Sequence, residues 1–419
     1  MASTPRPNHR TTEGQSPSRQ PLSLPRSLRY FLFSIPSFTI VSLGSSLVAR
    51  WLNLGLPYSF PGLFGPRSFL ADFFVFRERF YLFGTQAFFH RIEDFMYPPA
   101  MVLPIEAFYA TSHPFWGFFI LLLASGFFFT FCFFRVLRQR GLAAPIAAVV
   151  ALSVAITSYP YLHLLQRGNT EVFIWIAITL GLWSFYRGHY AWAAVCFGLA
   201  TALKLYPFIF FSLFLPRRRY REIVLGAFIT VVVTLIALRA LSPDIAYAFH
   251  WDLNQLQAFG KYYAASTWDL GYDHSFFALI KFVTLPWQPD LTPLIRPYTW
   301  LVAVACVALY FGRVWKLPLA NQILILSVLS ISIPPVSYDY TLLSLYAPLA
   351  ILCVLALRLP DDQQRILIPY FLLFAVILTP QSYIVFHGAR FGAQLRALCL
   401  LALLILALRK PLPAEPAAA

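Results

Sequence analysis

Apolar runs of near-membrane length recur along almost the whole chain, and basic residues gather at their ends. About 20 apolar residues span the hydrocarbon core of a bilayer as a helix. In that solvent only helices and closed barrels satisfy their backbone groups. The runs here are continuous and not alternating, which excludes a β-barrel. Composition agrees, at 59% hydrophobic and 12% charged residues, where ordinary globular domains carry about 25% charged. The expected fold is an all-α integral membrane bundle with about 11–13 transmembrane or half-membrane helices.

Residues 1–27 are rich in Pro, Ser and Arg and read as a disordered basic tail. They hold no short apolar core with a small-residue cleavage site, so they are not a signal peptide. The bundle is expected over 28–410, with a short disordered tail at 411–419. Cys132, Cys196, Cys306, Cys353 and Cys399 are scattered through apolar runs and read as small core hydrophobes. The net charge of +15 does not point to nucleic acid. Its basic residues sit where membrane proteins set their orientation.

Orientation follows from those clusters. The basic tail places the N-terminus inside. Span 29–49 goes out, and a long polar-aromatic loop, 50–97, lies outside. Span 112–135 returns to Arg135, Arg138 and Arg140. Span 143–161 goes out, and 170–186 comes back to Arg187. If 190–215 were one helix, "PRRRYRE" (216–222) would lie outside, against the positive-inside rule. A turn at Lys204–Pro207 removes the conflict: 190–203 rises, 207–215 descends, and Pro207 supplies the break. Fourteen residues reach only about 21 Å, so the turn is expected below the outer surface, in a protein-lined cavity. Spans 223–242, 297–313, 319–335, 340–358, 364–380 and 393–408 continue the alternation. A short piece at 275–286 reads as re-entrant or interfacial.

On this topology the unexplained polar residues fall on the outer side: Asp72, Tyr97, Gln166, Asn169, Lys204, His274, Asp339 and Gln381. Lys204 stands out, because an intramembrane charge is costly and marks function by default. For Asp72 a bland alternative is a helix N-cap. In the first outer loop Phe88, Phe89, Ile92 and Phe95 alternate with polar residues at helical spacing, which suits an interfacial helix.

"DFFVFRERF", "FMYPPA", "QRGNTEVF", "ALKLYP", "DHSFFALIKF" and "SYDYTLLSLYAPL" occur in that order. Together they resemble glycosyltransferase family 87, membrane enzymes of the GT-C class that use polyprenyl-phosphate sugars and are often α-mannosyltransferases. The "RGN" and "K-x-YP" pieces are also similar to the eukaryotic mannosyltransferase that adds the first mannose to GPI anchors. The resemblance covers roughly 29–400. Tyr338 stands where a Trp is common, and Asp339-Tyr340 where His-containing variants occur.

The resemblance implies a GT-C-type bundle, a polyprenyl-phosphate-linked sugar donor, a glycolipid or glycan acceptor, and a carboxylate base in the first outer loop, where Asp72 matches. Such a donor is already activated, since its phosphate leaves as an anion. What remains is to deprotonate the acceptor hydroxyl and to stabilise the leaving phosphate. Asp72 is the expected base. Lys204, with Arg167 and His274, is the expected phosphate contact. Tyr97, Gln166, Asn169, Tyr206, Asp339 and Gln381 are expected at the sugar or acceptor.

No D-x-D of the nucleotide-sugar kind lies in an outer loop, and no P-loop, H-E-x-x-H or G-x-G-x-x-G occurs. Neither a nucleotide cofactor nor a metal is required by the sequence. Two other classes compete: a transporter or flippase of lipid-linked sugars, for which paired broken helices in repeated halves would speak, and a structural membrane subunit, which would not need Lys204. The chain ends in no ER-retention signal, so the expected setting is a bacterial plasma membrane with the site facing the periplasm or exterior.

Overall fold

The computed structural model describes residues 24–52, 69–89, 97–267, 270–287, 289–380, 385–386 and 389–413. Gln381, most of both expected tails and the 90–96 part of the expected interfacial helix lie outside the described residues.

The described chain is almost entirely helical, and its boundaries follow the apolar runs. Among the described residues five helices are long and apolar enough to cross a membrane: Pro114–Gln139, Tyr220–Leu241, Thr292–Lys316, Asp339–Ala356 and Gly392–Arg409. Shorter apolar helices, among them Glu171–Tyr186, Tyr190–Leu203 and Leu319–Ser332, complete a polytopic membrane bundle. Burial is graded as a bilayer requires. On Thr292–Gly312 only Tyr310 is buried, and Trp300, Leu301 and Val304 are exposed. A soluble protein does not leave such an apolar surface bare. By contrast, every residue from Ala320 to Ser332 is buried, so that helix forms the middle of the bundle.

The break in the opening conflict is real. Tyr190–Leu203 ends at Lys204, whose backbone is extended (φ −149°, ψ 144°), and a 3₁₀ segment, Tyr206–Arg217, follows. This segment runs back along the helix it came from. Phe210 stacks on Phe197, Phe214 meets Phe185 edge to face, and Arg217 and Arg219 lie over Phe185 and Tyr190. Residues 190–217 are therefore a hairpin with Lys204–Leu205 at its tip, and "PRRRYRE" returns to the level of Arg187. Other chain ends expected to share a side also touch. Ser27 N–H meets Gln364 Oε1 (3.3 Å), Tyr310 O–H donates to the Ser212 carbonyl (2.5 Å), and Tyr298 O–H donates to the Ile333 carbonyl (3.0 Å).

Three expectations need correction. Span 143–161 is not one rod: Ala144–Val154 and Tyr159–Arg167 meet at a 52° bend. Pro160 opens the second helix, and a proline is tolerated there because it needs no helical donor. Phe88 and Phe89 do not face lipid but are buried against Trp251 and Tyr247, since their rings and those of the Ile245–Phe259 helix cover each other. Cys132 is exposed on the lipid-facing Pro114–Gln139 helix, although Cys353 and Cys399 are core residues.

Candidate active site

The stretch "QRGNTE" (166–171) builds the site, because it touches both the segment that carries Asp72 and the hairpin tip at Lys204. Gly168 closes the Tyr159–Arg167 helix in the left-handed conformation, at φ +63°, which glycine adopts without strain. A Cβ there would lie 2.8 Å from Leu70 Cα. Leu70, itself at φ 53°, donates its N–H to the Gln166 carbonyl at 2.6 Å. The missing side chain thus lets the first outer loop dock directly on the turn. Tyr109 holds that loop from the other side: its O–H bonds the Phe73 carbonyl at 2.7 Å, and its ring stacks on Phe73 and Phe80.

Docking brings Asp72, in the first turn of the Ala71–Val75 helix, over the residues after the turn. Asn169 Nδ2 donates to Asp72 Oδ2 at 2.7 Å, and Arg167 pairs with Oδ1. The Arg167 side chain is 43% exposed and that of Asp72 15%, so this pair faces open space. Asp72 makes no side-chain cap bond to its own helix, and the N-cap reading is not what the structure has. The Tyr97 hydroxyl lies 3.5 Å from Asn169 Nδ2. Burial, and then the Asp72 charge, push that hydroxyl well above its usual range, so it stays protonated beside the carboxylate.

Lys204 is not a lone ammonium. Its Nζ bonds Glu171 Oε2 at 2.5 Å, and the Tyr206 hydroxyl donates to Glu171 Oε1. The face of Tyr340 lies 5.3 Å from Nζ. Two carboxylates and two cations, Asp72, Arg167, Glu171 and Lys204, thus share one site. All four bonds to Asp72, Lys204 and Tyr206 described above are made by residues 167, 169 and 171.

His274 and Asp339, expected at phosphate and acceptor, lie elsewhere. Both are wholly buried. Asp339 takes two 2.9 Å bonds from Arg396 Nη1 and one of 2.8 Å from the Tyr159 O–H. His274 Nδ1 is 3.4 Å from Asp339 Oδ1, and its Nε2 is 3.3 Å from both Ser337 Oγ and Thr341 Oγ1. Next to it Asp273 accepts from the Ser275 and Ser337 N–H groups and pairs with Lys281 at 2.7 Å. "DHSFF" and "SYDYT" therefore latch onto each other, with Arg396 as the counter-ion. Several of their polar groups bond one another, and the structure places His274 and Asp339 in this latch. Lys281 also ties the short 275–286 piece into the protein. An aromatic layer links latch and site, since His163 stacks on Tyr159, Tyr272 and Tyr340.

Sequence reasoning overlooked Glu171, Tyr340 and Arg396. Arg396 carried the same signal as Lys204, a charge inside an apolar run. Glu171 stood in a quoted motif but at the edge of a span, where a carboxylate passes as solvated. Among the described residues no group of His, Cys, Asp and Glu is arranged to hold a metal ion.

A polytopic helical membrane protein with an exposed carboxylate–guanidinium pair beside a broken hairpin is the class that fold and site define. The model of glycosyltransferase family 87 matches residues 95–333, more than half of the chain. The chain belongs to that family and is a membrane glycosyltransferase. No curated protein and no solved structure matches it.

Proposed function

We propose that the protein transfers a hexose, mannose in our reading, from a polyprenyl-phosphate donor to a hydroxyl of a lipid-linked or cell-envelope glycan, with inversion at the sugar. The observation that carries this reading is the accessible Asp72 carboxylate, oriented by Asn169 and Arg167 near the Lys204 tip. Asp72 accepts the acceptor's proton while that oxygen attacks the anomeric carbon. The bond from that carbon to the phosphate oxygen breaks on the opposite face, and the electron pair leaves on the phosphate. Lys204 meets the phosphate with the N–H donors that Glu171 leaves over. Arg167 retains donors beyond its contact with Asp72, since a guanidinium carries five. Such fixed donors act where charge develops. Asn169, Tyr97 and Tyr206 line the sugar side. Gln166 contributes its carbonyl to the loop. The site faces the periplasm or exterior of a bacterial plasma membrane.

Asp72→Asn keeps the size and cannot take a proton. Its transfer rate with a radiolabelled polyprenyl-phosphate mannose donor is expected to fall by about 10²–10⁴-fold, with normal expression and donor binding. A variant that keeps more than about a tenth of the rate would exclude Asp72 as base. The same assay tests a flippase, which moves the labelled lipid without transfer.

A further inference from the structure

Glu171 has no part in the reaction above, yet it is the most buried charge of the site. Its side chain is 1% exposed, against 19% for Lys204. A carboxylate at that depth is retained only when paired and hydrogen-bonded, and both conditions are met. It sits in the first turn of its helix, where the helix dipole favours a negative charge. Its backbone N–H is held by Asn169 Oδ1 at 2.9 Å. One carboxylate oxygen takes the Lys204 ammonium and the other the Tyr206 hydroxyl.

We propose that Glu171 is the positioning residue of the donor side: it fixes Lys204 and Tyr206 before the lipid phosphate arrives. The inference rests on the reading that Lys204 meets that phosphate. Lysine has four rotatable bonds and a point charge, so an unanchored ammonium at the tip would have to be ordered in every turnover. Glu171 does this in advance. It also lowers the attraction for a second anion, because it already neutralises the cation. The residue therefore trades donor affinity for orientation. That trade has a sign that a purely structural ion pair lacks: without the carboxylate the donor should bind no worse and react more slowly.

The test uses the full chain in nanodiscs with radiolabelled polyprenyl-phosphate mannose and a lipid-linked mannoside acceptor. Glu171→Gln is expected to lower kcat at least about ten-fold, since misorientation of about 1 Å can cost about 10²-fold, with donor KM unchanged or lower. In a Lys204→Met background the same change is expected to add less than about a two-fold loss, because residues acting as a unit are not additive. The double variant leaves no unpaired charge buried, which keeps the comparison open if Glu171→Gln alone is unstable. A raised donor KM, a kcat close to wild type, or an equal loss in both backgrounds overturns the inference. Lys204→Met alone, from the same set, separates the two ideas. If it is fully active, the underlying reading fails; if it is impaired and Glu171→Gln is fully active, only the positioning role fails.

Discussion

Gly168→Ala should cripple the enzyme without unfolding it. Two costs can be read from the backbone. The first is conformational: a side chain at φ +63° costs about 1–2 kcal/mol. The second is steric. The new Cβ would meet Leu70 Cα, Cβ and Cδ2 at 2.8–2.9 Å, where ordinary contact begins at 3.4 Å. The outer loop must then withdraw by about 0.6 Å, and Leu70 is two residues from Asp72. A displacement near 1 Å at a reacting group can cost about 10²-fold, so a loss of about ten- to a hundred-fold in kcat is expected. Gly188→Ala is the control. It has the same conformational cost, at φ +80°, but nothing lies within 4 Å of its Cβ. Gly168→Ala should lose at least as much stability as Gly188→Ala in a thermal melt in detergent and still fold, and only Gly168→Ala should lose transfer. Equal activity in the two would refute the claim that the glycine sets the approach of Asp72.

Arg396→Met strips the buried Asp339 of its guanidinium and should destabilise the protein by about 3–5 kcal/mol, read as a drop in the unfolding midpoint; a loss under about 1 kcal/mol would mean that Tyr159 and His274 suffice. The hairpin is open to cysteine labelling in sealed vesicles on a cysteine-free background. Arg219→Cys should react with an impermeant reagent from one side only and Thr111→Cys from the other only, and reaction of both from one side would reject the return at Lys204.

How much of this could be read from the sequence depends on how local the cause was. The bundle was legible because hydropathy is a one-dimensional signal, and the turn at Lys204 because a charge, a proline and a misplaced basic cluster conflicted within 20 residues. Asp72, Arg167, Asn169, Lys204 and Tyr206 were named correctly as neighbours in one region. Their pairing was not, because which anion neutralises Lys204 depends on how Glu171–Tyr186 packs on Tyr190–Leu203. The latch around His274 and Asp339 was not legible for a related reason. A polar residue at the end of a span looks alike in sequence whether it lines a cavity or closes a buried ion cluster. Only the partner decides, and Arg396 lies 57 residues beyond Asp339.

That separation bears on biosynthesis. The groups that bond Asp72 and Lys204 lie between residues 69 and 206, with only the Tyr340 ring over Lys204 coming later, and chains emerge from the ribosome N-terminus first. The first half of the site can therefore assemble while the rest is still being made. Asp339 then enters the bilayer with His274 and Tyr159 as its polar company, and its counter-charge comes with the last long helix, Gly392–Arg409. That helix carries an arginine in its second turn and sets it against the waiting carboxylate. Each charge makes the other's burial tolerable, so a nascent chain halted before this helix would keep an orphan carboxylate.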